Sequence, residues 1–401
     1  MLAADSRETT AARGGLTVAL VDMADVSAAD SDAWHALRRH HPHGRSPLLS
    51  PQFARLVAGV RDDVRAVLAR RGHLLVAALA VHVRPSRHAR PVGAPFDDFA
   101  GPLIAPGEHL SPQKLIESAG LRAYTARASV CLEQNGIDGA AYPYIIRPGL
   151  PADLEDRARA YPKRFKNFRR LERKMERHFG PATLEWGRPE RRDVDQLLAW
   201  KRRQFRRDGL VDLTSARHSR IVLEAAASAA PDDPAAFGGY LVKLSCQGRM
   251  VAGHFGVREA GRFHPWISAF DPHFSAFAPG MVLLKRVLSA MNDMALDAYE
   301  LGDGHEHYKK YFGEPSAPVA QLNIYLSGRF SKTGLPIGSG LGRRQGKGLS
   351  GAPARLLRRL DHIAVCEPGL ASRTRALAYA LAKRSLRARN STPGSTKLDV
   401  E

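Results

Sequence analysis

The amino-acid sequence predicts an α/β (α+β) protein of two successive domains, each a mixed, mostly antiparallel sheet flanked by helices, followed by a basic C-terminal tail. A chain of 401 residues is too long for one ordinary hydrophobic core, so two compact domains are expected. The chain is 44% hydrophobic and 25% charged, which is typical of globular enzymes and excludes disordered and fibrous proteins. Strand-like and helix-like segments alternate in both halves, as in sheets covered by helices.

The first domain is predicted at residues 15–150, after a disordered N-terminus at residues 1–14. A helix is expected to open at Pro51, because proline suits the first helical turn. Residues 85–106 are rich in Pro, Gly and Phe and predict a long loop. The other predicted elements are strands at 15–26, 65–68, 73–82, 128–132 and 142–146, and helices at 30–40 and 111–119.

A basic amphipathic linker helix is predicted at residues 151–180. Its apolar stripe contains Phe165, Phe168, Met175 and Phe179, and its opposite face is strongly basic. That face is interpreted either as the solvated side of a helix between two domains or as a surface that binds phosphates or an acidic acceptor.

The second domain is predicted at residues 181–328, before a basic, partly helical or disordered tail at residues 329–401. Two of its strands are expected to meet at a hairpin turn, Gln247-Gly248. Its predicted elements are strands at 184–186, 237–246, 249–257, 261–270, 296–301 and 319–326, and helices at 193–207, 219–229, 280–294 and 306–312.

The net charge of +20 is concentrated in residues 163–207 and in the tail. It fits solvated helix faces in an arginine-rich chain, or contact with an anionic acceptor or an acidic membrane surface, whereas nucleic acid is not the expected partner.

Three widely spaced cysteines exclude a disulfide framework and fit a reducing cytosol. Without a signal peptide or a membrane span, a cytoplasmic protein is expected, either free or peripheral at the inner face of the membrane. Nothing in the sequence fixes the oligomeric state.

The strongest local motif lies between Trp266 and Leu284, where a strand, a loop and a helix follow one another. The helix is predicted to open at Pro279-Gly280. Its first N–H groups are unpaired and carry a partial positive charge, so this end can bind a pyrophosphate. Gly280 would allow close approach of the ligand to the backbone. The alternative is an ordinary capped core helix.

A second motif runs from Tyr299 to Gly313 and combines a strand, a polar turn and a short aromatic helix. Asp303 and His305 follow the strand, where catalytic groups of α/β proteins tend to lie. A metal site is not expected there, because no further ligands have suitable spacing.

In combination these motifs resemble the GNAT acetyltransferases, and in detail the CelD-like branch associated with cellulose and exopolysaccharide synthesis, which is related to the FemAB transferases. The resemblance covers residues 165–325, and the N-terminal half resembles the family's degenerate first domain only by length and element order. The family signature Q/R-x-x-G-x-G/A is absent, and Pro279-Gly280 stands in its place. The resemblance is carried by residues 251–256, 268–272, 279–280 with Leu283-Leu284, 301–304, and Tyr308-Lys309.

The resemblance implies an N- or O-acyltransferase that uses acetyl-CoA or another acyl-CoA, without a metal. It implies that Tyr308 protonates the departing thiolate, with Tyr311 in reserve, and that Asp303, His305 or His254 is the general base. Lys309 is a candidate contact to an acceptor phosphate, and Asp271 either contacts substrate or fixes the turn before the helix. The implied donor-binding residues are Ser268, Ala269 and Phe270 on the strand, and Pro279, Gly280, Met281, Val282 and Leu283 at the helix start.

The implied acceptor is an amine or hydroxyl of a sugar, or of a cell-envelope or exopolysaccharide precursor. Two alternatives remain open from the sequence. One is a FemAB-like transferase that takes its donor from aminoacyl-tRNA, and the other is a non-catalytic GNAT-like binding protein.

Overall fold

The computed structural model of the protein describes residues 15–131, 140–147, 151–208, 212, 214, 216–229, 233, 235–302, 307–326 and 366. The predicted N-terminus at 1–14 and nearly all of the predicted tail at 329–401 lie outside these residues, with Cys366 the exception. Among the described residues, no helix is long and apolar enough to cross a membrane.

The first sheet has the strand order β1-β2-β3-β4-β6-β14, with β5 beside β3. Three helices in this half begin after serine N-caps, at Ser27, Ser50 and Ser111, whose hydroxyls accept a backbone N–H of the first turn. The strands are β1 (Leu16–Asp22), β2 (Val64–Arg71), β3 (Leu74–Val83), β4 (His88–Pro91), β5 (Leu103–Ile104), β6 (Ala123–Ser129) and β14 (Ala320–Tyr325), and the helices are α1 (Ala28–Arg38), α2 (Pro51–Ala58) and α3 (Pro112–Ser118).

The second sheet has the order β13-β7-β12-β11-β10-β9-β8. Its strands are β7 (Tyr144–Ile146), β8 (Ala182–Gly187), β9 (Gly238–Cys246), β10 (Arg249–Glu259), β11 (Arg262–Phe270), β12 (Ala298–Gly302) and β13 (Glu314–Pro315). Its helices are α4 (Pro151–Ala160), α5 (Pro162–Phe179), α6 (Arg191–Asp208), α7 (Arg217–Ser228), α8 (Pro279–Ala290) and α9 (Lys309–Phe312). The predicted fold class, two mixed sheets flanked by helices, is confirmed.

The two sheets exchange strands. The short strand β7 leaves the first half and pairs antiparallel with β12, with Ile146 opposite Tyr299. The last strand, β14, returns to the first sheet and pairs with β6, with Leu322 opposite Ala126. The predicted domain limits at residues 150 and 328 therefore do not coincide with the limits of the sheets.

Several predicted elements differ in extent from those in the structure. The predicted linker helix is two helices, because Pro162 cannot continue a helical hydrogen-bond ladder and instead begins α5. The predicted loop at 85–106 contains β4 and β5, and the strand predicted at 128–132 lies at Ala123–Ser129. These strands are short or carry polar residues, so their positions depend more on pairing with neighbouring strands than on their own hydrophobic pattern.

The second sheet is covered on both faces. On one face, Phe165 and Met175 of α5, Leu283 of α8 and Phe263 of β11 belong to one buried apolar cluster. On the other face, the apolar core runs without a break from α6 and α7 into the first half. Phe96 of the first half stacks on Trp266 of β11, with ring centroids 4.7 Å apart. Burial of this shared apolar surface joins the halves.

Candidate functional site

The parallel strands β11 and β12 separate after two paired positions. Arg262 lies opposite Ala298 and Phe263 opposite Tyr299. Beyond Phe263, and within the part of the chain that the structure describes, β11 pairs only with β10. A bulge at Trp266, where the register with β10 shifts, bends the strand further. The backbone of β11 from His264 to Phe270 therefore borders a wedge-shaped gap, whose closed end is at Phe263 and whose outer end is at Phe270.

The helix α8 begins beyond the outer end of this gap. Its N-cap residue, Ala278, has left-handed dihedrals, φ 48° and ψ 54°, and provides no side-chain cap. A Cβ atom on Gly280 would meet nothing within 4 Å. The start of α8 therefore has room for a ligand beside Gly280, the position predicted for a pyrophosphate. The N–H groups of Met281 and Val282 donate to the carbonyl oxygen of Ala278.

A short 3₁₀ turn, Pro272–Phe277, sets the direction in which α8 starts. The buried carboxylate of Asp271 accepts the N–H of His273 at 3.0 Å and pairs with Arg249 at 2.5 Å. Burial works against ionisation, but these hydrogen bonds and the charge of Arg249 hold the pKa of Asp271 below its ordinary value. Asp271 thus fixes the turn, which is the structural alternative raised from the sequence, and its predicted contact with substrate stays a prediction.

A buried histidine–tyrosine pair lies on the α8 side of the sheet. The Nδ1 atom of His254, on β10, is 2.7 Å from the hydroxyl of Tyr299, on β12. Burial, together with the charge of Lys201, lowers the pKa of His254 to about 3, so the imidazole is neutral at physiological pH. Burial, and then the nearby phenols of Tyr240 and Tyr308, raise the pKa of Tyr299.

The predicted residues around α9 face different neighbours. Tyr308 packs against the apolar cluster that contains Tyr299 and Leu283. Lys309 is buried, and its Nζ donates to the carbonyl oxygen of Gly302 at 3.5 Å. Tyr311 instead meets Tyr161 edge to face at 5.0 Å. Tyr308, unlike Tyr311, is among the groups that raise the pKa of Tyr299, so the structure favours Tyr308 of the two.

Asp303 and His305 lie outside the described residues. Ser268, Ala269 and Phe270 lie along the outer part of β11, and the carbonyl oxygen of Ser268 accepts from Lys201 Nζ at 3.3 Å. Val282 and Leu283 are fully buried and anchor α8. No group of three or more possible metal ligands lies among the described residues.

A second polar cluster lies on the opposite face, at the closed end of the gap, and sequence reasoning missed it. His264 Nδ1 is 2.9 Å from Glu300 Oε2, and His264 Nε2 is 3.3 Å from Asp98 Oδ2. Ser46 donates to the same Glu300 oxygen at 2.6 Å. Burial alone would lower the pKa of His264, but its bonds to Asp98 and Glu300 raise that pKa to about 9. At neutral pH the cluster is an imidazolium between two carboxylates.

Aromatic contacts hold Asp98 in this position. Phe96 stacks on Trp266, and Phe99 lies edge-on to His264 with ring centroids 5.6 Å apart. Gly302 has φ +73°, and a Cβ atom there would lie 3.1 Å from Asp98 Oδ2. A side chain at this position would crowd Asp98 and strain the backbone. The only sequence signal was Asp97-Asp98 between two phenylalanines in a Pro/Gly-rich segment.

Residues 162–310 match the family model described as an acetyltransferase (GNAT) domain. No curated protein matches the chain. Similar solved structures include a tandem GNAT protein from the clavulanic acid biosynthesis pathway, with 12% identity over 78% of this chain and 99% of that chain and a TM-score of 0.42. FemX has 11% identity over 74% of this chain and 96% of its own, with a TM-score of 0.49. A GCN5-related N-acetyltransferase from Sphaerobacter thermophilus has 10% identity over 78% and 97%, with a TM-score of 0.37.

Proposed function

We propose that this chain, through its GNAT domain at residues 162–310, transfers an acyl group from acyl-CoA to an amine or hydroxyl. The observation that carries the proposal is the gap between β11 and β12, with the uncapped start of α8 beyond its outer end. Six residue steps from His264 to Phe270, at about 3.3 Å each, make the gap roughly 20 Å long. An extended pantetheine arm would lie along β11 with its pyrophosphate at Gly280 and its thioester near His264.

The chemistry of thioester acyl transfer assigns roles to the groups around the gap. Unpaired N–H groups of β11 would stabilise the tetrahedral oxyanion. Tyr308, whose phenol helps to raise the pKa of Tyr299, would protonate the departing thiolate. His254 is neutral and already bonded to Tyr299, so we assign it to orienting Tyr299 rather than to accepting a proton.

For the acceptor we propose a sugar, or a sugar-containing envelope or exopolysaccharide precursor, as in the CelD-like branch that the motifs resemble. The buried ammonium of Lys309 and the exposed Arg127, whose charges both act on Asp98, favour an acceptor that carries phosphate. We further propose that the protein works in the cytoplasm and that its basic tail provides any contact with an anionic surface.

A second candidate function has one observation in its favour. The exposed face of α5 carries Lys163, Lys166, Arg169, Arg173 and Arg177, and none of them has an acidic partner among the described residues. Such a face would suit a donor delivered on charged tRNA.

The first experiment is calorimetric titration with acetyl-CoA and with CoA of the wild type, Gly280→Asp and Gln113→Asp. Gln113 is the matched control, because it follows Pro112 at the start of α3 as Gly280 follows Pro279 at the start of α8. A carboxylate about 4 Å from a phosphate charge costs about 4 kcal/mol at an effective dielectric constant of about 20, which weakens binding about a thousandfold.

We expect micromolar binding in the wild type and in Gln113→Asp, and its loss in Gly280→Asp. An absence of binding in a folded wild-type protein would overturn the acyl-CoA proposal, and charged tRNA would be titrated next. Equal binding by all three proteins would show that the pyrophosphate does not bind at the start of α8.

A further inference from the structure

The first half of the chain places one accessible carboxylate at the closed end of the gap. The side chain of Asp98 is 43% exposed, whereas that of His264 is 1% exposed and that of Glu300 is fully buried. Asp98 lies against His264, the first residue of β11 beyond its pairing with β12, and against Gly302 at the end of β12. Asp98 is thus the only member of the cluster, as described, that a bound molecule could reach directly.

Asp98 and Tyr308 lie on opposite sides of the gap. Consecutive residues of a strand point to opposite faces of the sheet. Tyr299 points to the face where Tyr308 packs, and Glu300 points to the face that holds His264 and Ser46. A thioester at the closed end of the gap would therefore have the phenol of Tyr308 on one side and the carboxylate of Asp98 on the other.

We propose that Asp98 is the catalytic base of the acyl transfer, supplied to the GNAT domain by the N-terminal half, and that His264 and Glu300 are positioning residues. This inference rests on the proposed function. The acceptor enters on the face of the first half, and the thiolate leaves toward Tyr308.

The proposed step balances. The acceptor N–H or O–H gives its proton to the Asp98 carboxylate as its lone pair attacks the thioester carbonyl carbon. The tetrahedral intermediate collapses, the C–S bond breaks, and the thiolate takes the proton of the Tyr308 phenol. Asp98 then releases its proton to solvent and Tyr308 regains one, which leaves the acylated acceptor and free CoA.

The surroundings keep Asp98 ionised for this role. Partial burial works in the other direction, but the hydrogen bond from His264 and the charges of Arg127 and Lys309 lower the pKa of Asp98 below its ordinary value. Glu300 fixes the imidazole from behind at 2.9 Å. A relay of this kind holds one rotamer of the carboxylate in place.

Among the described residues, neither Glu300 nor His254 offers the same access. Glu300 is inaccessible, and its Oε2 atom already accepts from Ser46 and His264. His254 lies on the Tyr308 side and is bonded to Tyr299. Asp97, next to Asp98, acts on the buried Tyr124 and His82 of the first half, so it provides a matched control.

The test uses water as the acceptor, because slow hydrolysis of acetyl-CoA requires the base but no knowledge of the natural acceptor. Thiol release would be measured for the full-length wild type, Asp98→Asn and Asp97→Asn, and each variant would first be titrated with CoA. We expect unchanged CoA affinity in all three, at least tenfold slower hydrolysis in Asp98→Asn, and the wild-type rate in Asp97→Asn. Equal rates of thiol release in wild type and Asp98→Asn, including no detectable release from either protein, would overturn the inference. Failure of the wild type to bind CoA would instead reject the proposed function.

The positioning role of His264 has a separate readout. In His264→Gln the Asp98 carboxylate loses its cationic neighbour, while Arg127 and Lys309 still act on it and Glu300 remains on the far side of residue 264. The acidic limb of the hydrolysis rate should then move up by about one pH unit, whereas loss of packing alone would lower the rate at every pH. An acidic limb that does not move would remove His264 from the proposed relay.

Discussion

Each half of the molecule contains one parallel strand pair, and the two pairs differ in what lies beyond the point where their strands separate. In the first half, β4 and β6 run parallel with Ala89 opposite Tyr124. In the second half, β11 and β12 run parallel with Phe263 opposite Tyr299. Each pair has two paired positions and then separates, and each tyrosine is buried and follows an alanine.

In the first half the chain itself fills the space where the strands separate. Ala100 bridges to Ser129 of β6, and Leu103–Ile104 pairs with β3. Gly101, at φ +109°, packs so closely on Ser129 that a Cβ atom would lie 2.4 Å from its hydroxyl oxygen. Beyond Phe263, no described segment pairs with β11 on this side in the second half.

The helices that follow also differ at their first turn. Both begin with proline, but the hydroxyl of Ser111 accepts the N–H of Lys114 in α3, whereas Ala278 leaves α8 without a side-chain cap. On β10, His254 lies four residues before Arg258, the partner of Phe263. On β3, Leu79 lies four residues before Val83, the partner of Ala89. Leu79 therefore takes the place of His254 in the first half. The first half thus has a capped helix, a filled gap and a leucine at the positions where the second half has a helix without a side-chain cap, an unfilled gap and a histidine.

The largest effect is expected from Tyr308→Phe. Loss of the proposed general acid should slow thiol release about 100-fold or more, with unchanged affinity for CoA, whereas Tyr124→Phe should leave the rate unaltered. Thiol release under saturating acetyl-CoA measures both. A wild-type rate in Tyr308→Phe, with loss of activity in Tyr311→Phe, would assign the proton to Tyr311 instead.

The buried histidines of the two halves should give opposite pH dependences of stability. The pKa of His264 is raised to about 9, so its contribution is full below about pH 6.5 and is lost as the pH rises through 9, by at most about 3 kcal/mol. Burial lowers the pKa of His82 despite its bond to Asp63, so His82 destabilises the protein as the pH falls below about 6.5.

Denaturant titrations at pH 5, 6.5 and 9.5 would test this contrast on wild type, His264→Gln and His82→Gln. His264→Gln should flatten the alkaline fall in the free energy of unfolding, and His82→Gln the acidic fall. The same slope in His264→Gln as in wild type would contradict a charged His264.

A smaller difference is expected between the two tyrosines. Tyr299→Phe leaves His254 Nδ1 without its partner and should cost about 1–3 kcal/mol of unfolding free energy, whereas Tyr124→Phe should cost less than about 1 kcal/mol. His254→Leu, the residue type of the first half, should recover part of the loss in the double variant. Additive effects of Tyr299→Phe and His254→Leu would show that the two side chains are not coupled.

The smallest effect concerns the capped helix. Ser111→Ala removes the N-cap of α3 and should lower the free energy of unfolding by about 1 kcal/mol, with no change in CoA affinity by calorimetry. A change in affinity would mean that the first half also contacts the donor.

Features that depend on neighbouring residues were predicted well from the sequence. The Gln247-Gly248 turn joins β9 to β10, and both residues have positive φ. The start of α8 at Pro279 was also predicted. By contrast, β4 and β5 were assigned to a loop, because four-residue and two-residue strands carry too little periodicity to detect.

By itself, the sequence determined the order of most elements, the two-sheet architecture and the start of α8 at Pro279, because strand periodicity, turn residues and helix-start residues act within a few positions of one another. Only the tertiary structure decided that β7 and β14 exchange sheets, and that Asp98 meets His264, itself bonded to Glu300, from the other half of the chain. These contacts join residues more than a hundred positions apart. Their geometry follows from the packing of Phe96 and Phe99 on the second sheet, which no local pattern encodes.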